Sequence, residues 1–416
     1  MPGVVDIDLS DQAFWQRPAT ERDEAFAVLR REAPVSWQRP PDSVLMGPET
    51  PTTGYWAVVR YGDVRTVSRD PKTFCSGQGV MFEDVPEELL EASISFLGTD
   101  APRHTKLRGL VSAAFTPRQT ARIEERIREL AVAAVDGLIE RGDCDFVANL
   151  AQQLPMRTIS DLMGVPESQR ETVTRAADEL VGWNDPDVLA GREPFEMNVA
   201  GVMTLTGIAM ELAELRRQEP ADDLMSALVQ AELDGDRLTP EEIGAFFVLL
   251  SVAGNDTTRH TTSHALRALT EFPDQRRYLL EDLDARMPLA VEEFIRWATA
   301  VMTFRRTATH DTEIAGQAIA EGDKVVMFYS SANRDEEAFD DPHGFDVRRD
   351  PNHHVGFGGG GPHYCLGASL ARTQLRAVFT ELLRRLPEIE AGEPELLAGS
   401  FINGIKRMPC ALGASS

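Results

Sequence analysis

The sequence predicts a mainly α protein with small β-sheets. Apolar residues recur at helical spacing through most of the chain's middle, strand-like alternation is confined to short pieces, and there is no fixed-period repeat. From about residue 102 to 289 successive amphipathic helices are expected; within 119–141, Ile123, Ile127, Leu130, Val135 and Leu138 recur at near-helical spacing. Strands are expected at 55–60, 314–319 and 324–329. Residues 333–362 carry many Asp, Pro, Gly and His residues without periodicity, the mark of a long irregular segment with a functional purpose. No Gly/Ser linker interrupts the chain. One domain over 1–416 is therefore expected, β-richer over about 30–75, helical over about 100–300, with a ligand loop at 350–367.

With 416 residues, 42% of them hydrophobic, the chain can bury a large core. A net charge of −25 argues against nucleic acid or an anionic membrane surface as partner, because phosphates are repelled. Residues 1–17 carry Asp6, Asp8 and Asp11 and lack both a basic start and an apolar run. Neither a signal peptide nor a membrane anchor is expected there, and a cytoplasmic location follows. The longest strongly apolar stretch, 243–254, is well short of the roughly 20 residues that a bilayer crossing needs, so it predicts a buried helix. Cys75, Cys144, Cys365 and Cys410 form no C-x-x-C pair, which leaves no disulfide framework and no zinc knuckle.

Cys365 stands apart from the other three. It ends the run Phe357-Gly358-Gly359-Gly360-Gly361-Pro362-His363-Tyr364-Cys365-Leu366-Gly367, and a helical pattern over 368–386 follows at once. A helix start offers backbone N–H groups and a dipole that stabilise a thiolate, and glycines let the main chain approach a flat ligand closely. Two other readings of these residues stay open. A Gly-rich turn before a helix can cradle phosphate, although this one lacks the G-K-[ST] ending. Cys365 with His363 can be a nucleophile with its base, although a same-loop spacing of two seldom supplies that geometry.

A second feature interrupts the apolar helix that begins near Pro240 and runs toward His264: Ala253-Gly254-Asn255-Asp256-Thr257-Thr258. Gly254 costs a helix about 1 kcal/mol relative to Ala, so the local rule is broken where function is plausible. A groove at Ala253 and Gly254 leaves room for a diatomic ligand, and an acid followed by an alcohol can relay protons, which assigns those tasks to Asp256 and Thr257. The alternative is a buried kink with a capped carboxylate. Leu249 and Val252 lie on, or near, the same side of this helix as Ala253.

These two motifs closely resemble those of the cytochrome P-450 superfamily, whose heme-binding signature F-G-x-G-x-H-x-C-x-G is echoed from Phe357 to Gly367. One extra glycine puts Phe357 eight positions before Cys365, where the general signature has seven. The resemblance implies a triangular helical bundle around a buried heme b, with Cys365 as the iron ligand and Asp256 and Thr257 as the acid-alcohol pair. A thiolate pushes electron density onto iron and favours O–O cleavage. It further implies that Glu293 and Arg296 form a buried E-x-x-R brace completed by Arg349. The heme propionates would be held by His104 and Arg108, spaced i and i+4, together with Arg306 and His363. Pocket-lining residues implied in the same way are Met81, Phe82, Trp183, Val301, Met302, Phe401 and Ile402; all are apolar, which favours a greasy substrate.

The loop and the strings 301–306 and 401–406 are most similar to actinobacterial members that hydroxylate sterols and methyl-branched lipids; a terpenoid or polyketide intermediate is the other substrate class considered. No flavin or iron-sulfur motif is present in the sequence, so electrons are expected from a ferredoxin and its reductase, with a local basic patch at Arg372, Arg376 and His104 for docking. A monomer acting with dioxygen is expected. The rivals are a heme-thiolate sensor, which needs no proton relay, and a peroxide-driven or isomerising relative, which usually alters the acid-alcohol pair.

Overall fold

The computed structural model describes residues 7–42, 45–46, 52–85, 96–113, 117–233 and 235–413. Its principal helices in chain order are α1 (Ala19–Glu32), α2 (Tyr61–Arg69), α3 (Arg103–Ala113), α4 (Pro117–Arg141), α5 (Gln153–Met163), α6 (Glu167–Glu179), α7 (Pro194–Gln218), α8 (Pro240–Glu271), α9 (Leu283–Ala298) and α10 (Ala368–Arg385). Helix therefore dominates, as the periodicity predicts.

The 32 residues of α8 make it a rod of about 48 Å at 1.5 Å per residue. Its start is written into the sequence: the Thr239 hydroxyl accepts from Glu242 N–H, the Glu242 carboxylate accepts from Thr239 N–H, and Pro240 takes the first helical position. The rod joins two cores. Its first half, with Ile243, Phe246 and Phe247, packs against Ile159 of α5 and Leu205 of α7. Its last turns, with Ala265, Leu266 and Leu269, pack with Leu138 of α4, Phe294 of α9 and Phe379 of α10. Between the two cores the helix is polar, and the hydroxyls of Thr257, Thr261, Thr262 and Ser263 each bond back to the carbonyl four residues earlier. The polar insert thus coincides with the seam between two hydrophobic layers.

One five-stranded sheet is built from β1 (Val35–Gln38), β2 (Tyr55–Val58), β3 (Phe74–Cys75), β4 (Thr303–Ala308) and β5 (Lys324–Phe328), in the order β1-β2-β5-β4-β3. Alternate residues face opposite sides. Val58, Val325 and Met327 pack on Val64 and Val67 of α2, whereas Ala57, Val326 and Phe328 meet Phe14, Trp15 and Phe26. The expected strand at 314–319 is instead a hairpin, Thr312–Ile314 with Gln317–Ile319, because Ala315 and Gly316 take φ of 49° and 83° and close a tight turn. From residue 333 to 367 the chain forms neither helix nor strand, as expected. No helix among the described residues is long and apolar enough to cross a membrane.

Candidate active site

The cysteine loop is folded by its glycines. Cys365 N–H donates to the Phe357 carbonyl at 3.0 Å, Tyr364 N–H to Gly361 at 3.2 Å and Gly358 N–H to Val355 at 2.9 Å. Gly358, Gly360 and Gly361 have φ of 96°, 99° and 78°, a region in which side chains are strained. The extra glycine belongs to a run that docks on α2: Ser68 Oγ donates to the Gly360 carbonyl at 2.9 Å and Arg69 Nε to that of Gly359 at 3.2 Å. A Cβ on Gly361 would lie 2.4 Å from the Ser68 carbonyl oxygen. Gly361→Ala is accordingly expected to cost at least the about 1–2 kcal/mol of a left-handed alanine, read as a lower urea midpoint. A midpoint unchanged from wild type would show that the loop does not need this seat.

Cys365 is open on one side although protein surrounds it on the others. Burial pushes its thiol up, while a hydrogen bond from the Gly367 backbone and the charges of Arg108 and Arg372 pull it down. A metal on the sulfur removes the proton outright.

On α8, Ala253 is exposed and Thr257 half-buried, whereas Ser251, Asn255, Asp256 and Thr258 are buried. Thr257 Oγ1 donates to the Ala253 carbonyl at 2.8 Å, which leaves its oxygen lone pairs as acceptors. Gly254 corrects the expectation of an oxygen groove at that residue. A Cβ there would lie 2.4 Å from Ile159 Cδ1, so the glycine allows α5 to approach α8. Within the motif 253–258, Ala253 is the exposed residue.

Asp256 is 1% exposed, pairs with Arg259 through one oxygen and has no partner among the described residues at the other. Arg259 Nη1 continues to Asp178 of α6 at 2.9 Å, and the Asp178 side chain is 30% exposed, so the network reaches the surface. Burial pushes the Asp256 carboxyl up to about 7 against the pull of Arg259. The sequence reading missed Arg259 and Asp178. The i, i+3 spacing of Asp256 and Arg259 was visible, but the partner 81 positions away was not.

Glu293 and Arg296, both 0% exposed, are joined by two bonds of 2.8 and 2.6 Å. Glu293 also accepts from Arg349 Nε at 3.3 Å, Asn352 Nδ2 at 3.0 Å and Asp346 N–H at 2.9 Å. Arg296 donates onward to the carbonyls of Asn333, Pro342 and Gly344. The pair therefore fastens α9 to the irregular segment that leads to Cys365. The neighbouring Glu292 binds Arg372 at 2.7 and 2.9 Å and His354 at 3.1 Å, and Arg372 lies over the Phe357 ring, 4.6 Å from its centre. This second brace was also missed, since a lone Glu, His and Arg far apart in sequence carry no signal.

His104, on α3, and His363, in the cysteine loop, place their rings 4.2 Å apart. Ser76 Oγ lies 3.1 Å from His363 Nε2, while His363 Nδ1 and His104 Nε2 are buried without partners among the described residues. Burial, with the Arg306 guanidinium next in effect, pushes His363 down to about 3. Arg306 is buried and its guanidinium donates to the carbonyl of Arg305, and Arg108 reaches the Tyr364 carbonyl at 2.7 Å. Two bare nitrogens beside two guanidiniums, near an open-sided cysteine, form a donor set that fits a thiolate-bound iron porphyrin with two carboxylates.

The expected pocket residues divide. Trp183 packs with Met81 and Phe401, and Val301 bridges Ile402 backbone to backbone. Leu249 and Val252 are half-buried, Leu249 against the first core. Phe82 and Met302 are corrected: they sit in the aromatic core with Trp15, Tyr55 and Phe328. The basic patch is corrected too. His104 is 3% exposed and Arg372 is neutralised by Glu292, which leaves Arg376 of the three as an exposed cation.

Known proteins share this chain's sequence and fold. The family model described as Cytochrome P-450 matches residues 147–388. The methyl-branched lipid omega-hydroxylase of Mycobacterium tuberculosis (strain H37Rv) is 44% identical over 410 residues, covering 98% of this chain and 94% of its own. The steroid C26-monooxygenase of Rhodococcus jostii is 39% identical over 389 residues, covering 92% and 80%. A solved cytochrome P-450 of Mycobacterium marinum in complex with pseudoionone superposes with a TM-score of 0.94 at 56% identity, covering 99% of both chains.

The fold and the chain-wide similarity define a heme monooxygenase, and the chain belongs to the cytochrome P-450 family. Its cofactor is heme, and it is a monooxygenase that uses dioxygen and electrons from a redox partner.

Proposed function

We propose that Cys365 ligates the heme iron, that His104, Arg108, Arg306 and His363 hold its propionates, and that Phe357 and Gly367 shape the ligand loop. The observation that carries this reading is the open-sided thiol at the start of α10 together with the two bare imidazole nitrogens beside Arg306. Bound heme supplies activation of dioxygen, which no amino-acid side chain provides. Ala253 leaves space on the oxygen side. Thr257 Oγ1 accepts a hydrogen bond there while its own proton stays on the Ala253 carbonyl. Asp256 holds a proton at its unpartnered oxygen, while Arg259 ties its other oxygen to Asp178, whose side chain meets solvent.

The substrate side is lined by Met81, Trp183, Leu249, Val252, Val301, Phe401 and Ile402. Such a wall suits a sterol, methyl-branched lipid, terpenoid or polyketide, and the relatives' names favour oxidation at the end of a branched apolar chain. Electrons come from a ferredoxin and its reductase, docking near Arg376, and the enzyme works as a cytoplasmic monomer of one domain. The test is titration of the heme spin state with a methyl-branched fatty acid, a sterol and an ionone-type ketone, followed by turnover under isotopic dioxygen. At least one probe is expected to shift the spin state and gain one labelled oxygen; silence from all three overturns the substrate class.

Asp256→Asn is expected to lower turnover by roughly 10²- to 10⁴-fold, the range for loss of a proton-transfer group. Wild-type turnover should fall as pH rises through about 7, where Asp256 gives up its proton, and the variant should lack that limb. Stability follows the same sign. The folded carboxyl binds its proton more tightly than the unfolded one, whose pKa is about 3.9. Stability therefore falls as pH rises between about 4 and 7, and less steeply in the variant. Identical pH profiles for the two proteins count against the assignment.

A further inference from the structure

Two histidines of α8, His260 buried and His264 half-buried, have no part in the chemistry above. His260 and His264 lie one and two turns beyond Asp256 on the same rod, and both touch the turn that carries Phe401 and Ile402. Ile405 N–H donates to His260 Nδ1 at 3.2 Å. His264 Nε2 lies 2.9 Å from the Asn403 carbonyl. His264 Nε2, facing a carbonyl, bears its proton, whereas His260 faces donors at both nitrogens, Ile405 N–H at Nδ1 and Arg259 Nη2 at 3.4 Å from Nε2, so its ring is neutral and its Nδ1 accepts from the turn. Burial, which pushes His264 down to about 4, keeps them so.

The other side of the turn is fixed as firmly. Asn403 N–H donates to the Ala300 carbonyl at 2.9 Å, Asn403 Nδ2 to that of Ala298 at 2.7 Å, and Met302 N–H to that of Phe401 at 2.8 Å. Gly404 is pressed against the first histidine: a Cβ there would lie 3.2 Å from His260 Cε1 and 2.8 Å from Leu397 Cβ. The turn is thus suspended between α8 and the end of α9 with the residues that follow it, with an imidazole as each tie on the α8 side.

We propose that His260 and His264 are positioning residues for substrate selectivity, setting the height at which Phe401 and Ile402 stop the substrate relative to Ala253 and Thr257. Both ends of that distance are referred to one helix. Ala253 and His264 are 11 residues apart, about 16 Å along a rod that does not stretch. The side chains that stop the substrate are therefore ruled off from the oxygen side by backbone geometry rather than by a mobile loop. This rests on the reading of Phe401 and Ile402 as pocket residues.

Crossed amide substitutions test it, because a Gln amide reaches the place of Nε2 and an Asn amide that of Nδ1. His264→Gln and His260→Asn keep the hydrogen-bonding atom in place; His264→Asn and His260→Gln retract or displace it. With a methyl-branched fatty acid as probe and the holoenzyme throughout, the displaced pair should change the ratio of terminal to in-chain hydroxylation roughly three- to tenfold, the span of one hydrogen bond. His260→Gln should also speed amide exchange at Ile405. The conserving pair should match wild type, and all four should keep the carbon monoxide spectrum. Displaced variants that keep the wild-type ratio, or conserving variants that shift as far, overturn the proposal. Phe401→Ala separates the two readings: if it changes the ratio while the histidine variants do not, the positioning role alone fails. If it is silent, the pocket assignment falls and takes the proposal with it.

Discussion

Cys365→His is expected to keep heme and lose hydroxylation. The carbon monoxide complex of the reduced variant should absorb where imidazole-ligated heme does, and turnover should fall by more than the roughly 10- to 100-fold that loss of an outer partner costs a metal site. The thiolate is stabilised by the Gly367 backbone and by the fixed charges of Arg108 and Arg372, none of which an imidazole exploits. Imidazole also pushes less electron density toward the oxygen side. Cys365→Ala should bind heme weakly or not at all. A thiolate-type band that survives either change means that another residue holds the iron, and the site reading fails with it.

Glu293→Gln is expected to be the most destabilising single change outside the ligand itself. The carboxylate accepts from Arg296, Arg349, Asn352 and the Asp346 backbone at full burial. Its neutral isostere leaves two guanidiniums in a low-dielectric site without their anion. Breaking such a pair costs about 3–5 kcal/mol, a large share of a total stability of about 5–15 kcal/mol. The urea midpoint should drop, and the purified protein should carry less heme per chain, since Arg296 anchors the carbonyls of residues 333, 342 and 344 on the way to Cys365. A variant with the wild-type midpoint and full heme would show that the brace is dispensable.

The helices were legible because long apolar stripes have one explanation, and the cysteine loop was legible because a run of glycines before a single thiol is rare. Thr303–Ala308 was not legible as a strand. Its Arg305 and Arg306 are buried, which hides the alternation a strand usually shows; Arg305 is held by Asp84 at 2.6 Å, a partner 221 positions away. Gly254 looked like an oxygen groove because a glycine in a helix marks close approach without naming what approaches; here it is Ile159. Phe82 and Met302 read equally as pocket or core, since apolar side chains suit both. The Asp178–Arg259 link, the Glu292 brace and the histidine ties depend on tertiary juxtaposition, which spacing along one chain does not encode.

The glycine run seated on α2 has a consequence for how the protein can be divided. Val64 and Val67 of that helix are part of the packing behind Val58, Val325 and Met327, so the sulfur's mount is bolted through α2 to the β-sheet rather than to the helical half alone. A fragment beginning after Cys75 would retain the thiol, the rod and both carboxylates, yet lose the wall that the ligand turn leans on.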